Sequence, residues 1–201
     1  LPFSRGRAGG LSTARRELWD DRELMGFLVW RDVKVRYKQT ALGVLWALIQ
    51  PLVTMALFTA VFGRIAKLPS DGAPYALFVL AGLVPWQFFA GAMGYASNSL
   101  VGNAGLLTKV YFPRLAIPLA AVGAAFVDFL IQFVLLSLML VYYRVPLTPA
   151  VLFLPLFVLM AATLALAVGL WSSSLNVQYR DVQYVMPFVT QVWLFASPVA
   201  Y

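Results

Sequence analysis

The 201 residues contain no cysteine and no histidine, and only 11% of them are charged. Without thiol or imidazole there is no disulfide, thiolate nucleophile, iron–sulfur cluster, zinc site of the usual ligands or imidazole base. The lack of cysteine says little about compartment, because a bundle held by lipid and packing needs no covalent staples. The scarcity of charge says more. A soluble domain carries about 25% charged and about 45–50% apolar residues, whereas this chain is 62% hydrophobic, with mean hydropathy +0.82. The net charge of +7 suggests a nucleic-acid binder at first sight, but such proteins are rich in charge, so no nucleic-acid partner is expected. Disorder is excluded by the same figures. A G-x-x-x-x-G-K-[ST] phosphate loop is also missing. The chain is therefore expected to bind no cofactor of its own, to hold no metal and to contribute no catalytic residue.

What is present comes in apolar blocks. A helix needs about 20 mainly apolar residues to cross a bilayer, and four stretches qualify: Leu42–Phe62, Tyr75–Tyr95, Leu115–Tyr143 and Ala150–Trp171. A fifth begins at Tyr184 and is still running at Tyr201. The fold class is thus expected to be all-α, a polytopic helical membrane bundle with four complete spans plus the fifth. Residues 1–41 form an N-terminal segment and 42–201 a transmembrane domain. With no Met at Leu1 and no polar tail after Tyr201, the chain is expected to be a C-terminally incomplete piece of a longer one.

Charge placement orients the bundle. The N-terminal segment and the loops on its side hold 12 of the 15 Lys and Arg, Lys109, Arg114 and Arg180 among them. The opposite loops hold only Arg64, Lys67 and Arg144. Cationic residues stay on the cytoplasmic face, so the N-terminus is expected in the cytoplasm. Small residues at helical spacing, Ala116, Ala120 and Ala124 on one span and Ala161, Ala165 and Gly169 on the next, allow close helix approach. Packing within the chain is the favoured reading over a dimer seam.

Three places invite a functional reading. Between Leu18 and Lys38, alternation at Val33, Val35 and Tyr37 suggests a strand, but a helix accounts for more. Trp30, Val33 and Tyr37 then share a face beside a basic stripe of Arg31, Lys34 and Lys38, which suits a helix in the headgroup layer that gates the first span. Asn98–Arg114 is longer than a reversal requires and holds a short amphipathic stretch, read either as a docking element for a soluble partner or as a membrane-surface turn. Asp128 falls near mid-membrane at the ~1.5 Å rise per residue of a helix, with no cation in any span to pair with it. A capping or interhelical hydrogen bond is its leading reading and a transport role the second. Arg180 and Asp181 are read as a loop pair holding the turn into the fifth span.

The run Lys109-Val110-Tyr111-Phe112-Pro113-Arg114, followed by Ala116-Ile117-Pro118-Leu119, closely resembles the start of the third span in ABC-2 type permeases of bacterial polysaccharide exporters. Arg36-Tyr37-Lys38-Gln39-Thr40-Ala41-Leu42-Gly43 with Trp46 and Pro51 resembles the family's approach to span one, and Gly82-Leu83-Val84-Pro85-Trp86 its second span. Asn176 with Tyr179-Arg180-Asp181-Val182 resembles a cytoplasmic loop, and Ser197-Pro198-Val199-Ala200-Tyr201 the region after the fifth span. The resemblance runs over roughly 18–201 and lies in the order and spacing of these motifs. It implies a homodimeric permease in the bacterial cytoplasmic (inner) membrane, surrounded by membrane lipid and paired with two copies of an ABC ATP-binding subunit that carry ATP and Mg. A loop helix over 97–109 would couple to that subunit through Ser97, Leu100, Val101, Asn103, Leu106, Leu107 and Lys109. Trp30, Arg31, Lys34, Tyr37 and Lys38 would form the gate helix. Spans one and five would line a channel for a lipid-linked polysaccharide such as O-antigen, capsule or teichoic acid. Trp46, Phe58, Phe62, Trp193 and Phe195 are the candidate pore-lining aromatics, because aromatic faces hold sugar C–H faces without tight bonds. The sequence ends before the family's outer re-entrant segment and final span. An ABC-2 permease for a lipid or drug, an ion-coupled carrier or channel and a non-transporting scaffold are the competing readings.

Overall fold

The computed structural model describes residues 22–38, 42–65, 74–109, 115–146 and 148–197. Seven α-helices occur among them, and no strand. Helix α1 spans Arg22–Lys38. Helix α2, Trp46–Phe58, is led in by a 3-10 turn at Gly43–Leu45 and prolonged by π-helical turns over Thr59–Ile65. Then come α3 (Tyr75–Gly102), α4 (Ala104–Lys109), α5 (Ala116–Tyr142), α6 (Leu154–Gln178, with a 3-10 lead-in at Pro149–Phe153) and α7 (Val182–Ala196). Four of these segments are long and apolar enough to cross a membrane: Gly43–Ile65, Tyr75–Gly102, Ala116–Tyr142 and Pro149–Gln178. They coincide with the four expected spans, and α7 is a shorter apolar helix where the fifth was expected.

Prolines mark both ends and interiors. Pro155 sits in the first turn of α6, where its missing N–H costs nothing, whereas Pro51, Pro85 and Pro187 lie inside α2, α3 and α7. Pro51 is buried among neighbouring helices, whereas Pro85 and Pro187 are exposed. Helices α3 and α6 both outrun their apolar stretches by about two turns. Their polar ends meet: Asn176 Nδ2 donates to the Ser97 carbonyl at 3.3 Å and to Asn98 Oδ1 at 3.0 Å. Ser99, Ser172 and Ser173 donate back to carbonyls of their own helices. The loop helix expected over 97–109 is correspondingly shorter. Helix α3 runs through Gly102, the chain breaks at Asn103, and only Ala104–Lys109 form a separate helix.

Helix α3 is the centre of the bundle. Val79, Leu80, Val84, Ala92, Met93 and Ala96 are wholly enclosed, and its principal partners are α5 and α6. The small-residue stripes explain this. Ala116, Ala120, Ala124 and Ala165 are buried, and a Cβ on Gly169 would come within 2.5 Å of the Ala96 Cβ. The stripes are therefore seams inside the chain. In contrast, α2 and α6 turn much of their apolar surface outward, as a lipid-facing helix does.

Helix α1, expected as an interfacial gate helix, is packed against the bundle. It packs along the first half of α5: Leu28 is buried, Val29 lies against Gly123, and Arg36 reaches Asp128. The chain then turns into α2 at Gly43, whose φ of +52° is costly for any residue with a Cβ. Residues 1–21, 39–41, 110–114 and 198–201 lie outside the described residues, and with them parts of the motifs quoted above.

Candidate functional site

A cavity of about 400 Å³ opens between α1, α2, α3, α5 and α7. Its polar lining follows from helical periodicity. Gln50 and Thr54 are four residues apart on α2, Asp128 and Gln132 four apart on α5, and Gln87, Gly91 and Tyr95 follow the same spacing on α3. Trp46, Trp86 and Phe88 supply aromatic faces, and α1 contributes Arg36 and Tyr37.

Asp128 organises one wall. Its carboxylate accepts hydrogen bonds from Arg36 Nη1 and from the Tyr37 hydroxyl. The Arg36 guanidinium also stands over the Tyr95 ring, 3.8 Å from its centroid, a contact worth about 0.5–2 kcal/mol depending on desolvation. Asp128 keeps 17% of its side chain exposed and Arg36 26%. Opposite charges this close cancel, so the cavity is polar yet electrically near neutral. Burial raises the Tyr37 phenol well above its ordinary range, and its bond to Asp128 and that group's charge push the same way. The hydroxyl is thus a firmly neutral donor. One turn beyond Asp128, Gln132 is buried and its Oε1 has no partner among the described residues. An enclosed amide oxygen without a donor is costly, so the site presents an unused acceptor to any ligand bearing hydroxyls.

No span supplies a cation to Asp128, as expected, yet it has one. Arg36 arrives from α1, which is not a span, and a census of span residues could not find it. Sequence reasoning also passed over Tyr95 and the glutamines as site residues, although Gln50 with Thr54 and Asp128 with Gln132, each pair spaced by four, was the available signal.

The other candidate residues separate into groups. Of the five aromatics, only Trp46 lines this cavity. Phe58 packs on Phe62 and Phe195, at 5.5 and 6.5 Å between ring centroids, and Trp193 lies 6.2 Å from Phe89. On α1, Trp30 is exposed, as are Lys34 and Lys38, whereas Arg31 and Tyr37 are half-buried. Arg31 Nη2 pairs with Asp32 at 2.7 Å and donates to Asn103 Oδ1 at 2.7 Å. Of the expected coupling residues, Ser97 is fully enclosed where the polar end of α6 covers it. Leu100 is half-buried, Val101 and Leu106 are exposed, and Asn103 is held by α1. The side chains of Leu107 and Lys109 lie outside the described residues. Arg180 and Asp181 form no ion pair among the described residues, where Arg31–Asp32 and Arg36–Asp128 are the pairs found. Asp181 instead starts α7 through its carbonyl, which accepts from Tyr184 and Val185 N–H.

Known proteins are similar to this chain in sequence. The O-antigen export system permease protein RfbA of Myxococcus xanthus is 33% identical over 187 residues, covering 92% of this chain and 71% of that protein. Its namesake from Klebsiella pneumoniae is 28% identical over 180 residues, 89% of this chain and 69% of the relative. The polysialic acid transport protein KpsM of Escherichia coli matches a shorter stretch, 27% identical over 79 residues, 39% of this chain and 31% of its own. The family profile described as ABC-2 type transporter matches residues 23–201, from the start of α1 to the end of the chain. A multi-span helical bundle that satisfies this profile over nearly its whole length belongs to the ABC-2 type transporter family.

Proposed function

We propose that the chain is the membrane-spanning permease subunit of an ATP-driven exporter that moves a lipid-linked polysaccharide across the bacterial cytoplasmic membrane, with its N-terminus in the cytoplasm. The observation that carries this is the similarity to O-antigen export permeases over about nine-tenths of the chain. The cavity's chemistry fits that cargo. Sugars present hydroxyl donors, which suit Gln132 Oε1 and the facing glutamines, and C–H faces, which suit Trp46 and Trp86. A near-neutral site holds such groups weakly enough to release them. The energy is supplied by two copies of a separate ATP-binding subunit that carry ATP and Mg, contacted through the exposed surface at Val101–Leu106, and two permease chains enclose the passage.

Deletion of the gene in its native host tests this. Lipid-linked polysaccharide should accumulate inside the cell and vanish from the surface, and the intact gene should restore it. Normal surface polysaccharide in the deletion strain would overturn the assignment.

A further inference from the structure

Charge on the cavity wall is sparse and matched. Among the described residues of the lining, Arg36 is the one cation and Asp128 the one anion, and each is committed to the other. Arg36 Nη1 donates to one carboxylate oxygen, and the Tyr37 hydroxyl donates to the second. A face of the guanidinium is taken by the Tyr95 ring, 3.8 Å from its centroid. Beyond this cluster the polar residues of the wall, Gln50, Thr54, Gln87 and Gln132, are uncharged. Amides and hydroxyls both donate and accept, so they can replace water around a sugar hydroxyl. They cannot do the same for a carboxylate, which loses far more hydration on entry and needs an unpaired cation beside it. Drawing Arg36 away would strand Asp128, and a second carboxylate held near Asp128 meets like charge. The side chains of Arg36 and Asp128 are only 26% and 17% exposed, so salt screens that repulsion only in part.

From this geometry we propose that the Asp128–Arg36 pair sets the charge of the cargo: the cavity admits uncharged sugar units and turns away sugars that carry carboxylates. Asp128 is the specificity-determining residue, because it occupies the cation that an acidic sugar would need. The proposal rests on the reading of the chain as a polysaccharide permease with this cavity on the sugar's path, and it narrows the cargo to neutral glycans. The group that joins the glycan to its lipid is common to neutral and acidic chains and cancels when both are compared on one carrier.

The full-length permease, assembled with its ATP-binding subunit in lipid nanodiscs, is titrated with two probes. One is a neutral hexose oligosaccharide, and the other is the same oligosaccharide after oxidation of its primary alcohols to carboxylates. Binding is followed by tryptophan fluorescence, because Trp46 and Trp86 line the cavity; Trp46→Phe together with Trp86→Phe should remove the signal. The neutral form should bind about tenfold or more tightly than the oxidised one. Asp128→Asn frees Arg36 and should close most of that gap, and adding Arg36→Gln to it should open the gap again. Should Asp128→Asn not assemble, Gln50→Lys adds a cation to the same wall with the pair intact and should act in the same direction with smaller effect. Equal binding of the two forms, tighter binding of the oxidised form, binding of neither, or a signal that survives loss of both tryptophans overturns the proposal. So does a gap left unchanged by whichever of Asp128→Asn and Gln50→Lys assembles. Transport of both forms, each attached to the same lipid, is then measured in sealed vesicles. Selective binding in a protein that exports no polysaccharide overturns the cargo assignment alone, and export of both forms at equal rates overturns the selectivity alone.

Discussion

The environment of Asp128 decides what its side chain does. A carboxylate in an apolar span is costly unless donors reach it, and here both come from α1. Asp128→Ala leaves the Arg36 guanidinium without its carboxylate. Because Arg36 is 26% exposed, the loss should fall near or below the lower end of the range for broken buried pairs, about 2–3 kcal/mol. Adding Arg36→Met to Asp128→Ala should recover part of this, since no lone charge remains. Thermal unfolding in detergent checks both, and equal midpoints for the single and double variants would contradict the pairing. Tyr37 gives a second test. Its folded-state pKa is raised, so the neutral phenol favours the folded chain; that contribution is complete below the ordinary tyrosine value of about 10 and is lost as pH climbs through the raised one. In an alkaline difference spectrum, Tyr37→Phe should remove a late transition and leave the main tyrosine transition unchanged.

At the scale of elements, close approach replaces covalent ties. Helices α3 and α6 touch where Gly169 faces Ala96, and a methyl at 169 would stand 2.5 Å from the Ala96 Cβ and 3.4 Å from the Met93 carbonyl. Gly169→Ala should cost about 1–3 kcal/mol by forcing the helices apart, with part recovered by Ala96→Gly; unfolding midpoints of the three variants measure this. On the other side of the bundle, Gly123→Ala drives a methyl to within 2.8 Å of Val29 Cγ2. It should loosen α1 with little effect on the core, and Val29→Ala should relieve it. Proteolysis within 22–38 reports the difference. These seams were legible, because small residues at a spacing of four mark a close helix contact. The extra turns of α3 and α6 were not. Ser97–Ser99 and Ser172–Asn176 look like loop until Asn176 is seen to satisfy the end of α3. The pairing of α1 with α5 was hidden for a related reason: its polar residues read as headgroup contacts, whereas Arg36 and Tyr37 bond to a partner 92 and 91 residues away.

For the whole molecule, hydropathy alone located the four long spans, since each is an apolar stretch long enough to cross a bilayer. The cavity was legible only in fragments. Its glutamines and Asp128 stood out as polar groups in apolar spans, yet their convergence needs five helices from distant parts of the chain. The proposed polysaccharide passage was expected from aromatics, and only Trp46 of the five lines the cavity; amide side chains form much of the rest. The claim that joins these scales is export of polysaccharide by a permease that depends on a separate ATPase. Its most direct measurement is reconstitution of the full-length permease with its ATP-binding subunit in sealed vesicles, followed by assay of lipid-linked polysaccharide on the far side. The expected result is movement that requires both subunits and ATP and falls sharply with Gln132→Leu. Movement of a lipid or drug without any movement of polysaccharide, or polysaccharide movement that continues without the ATPase, would contradict it.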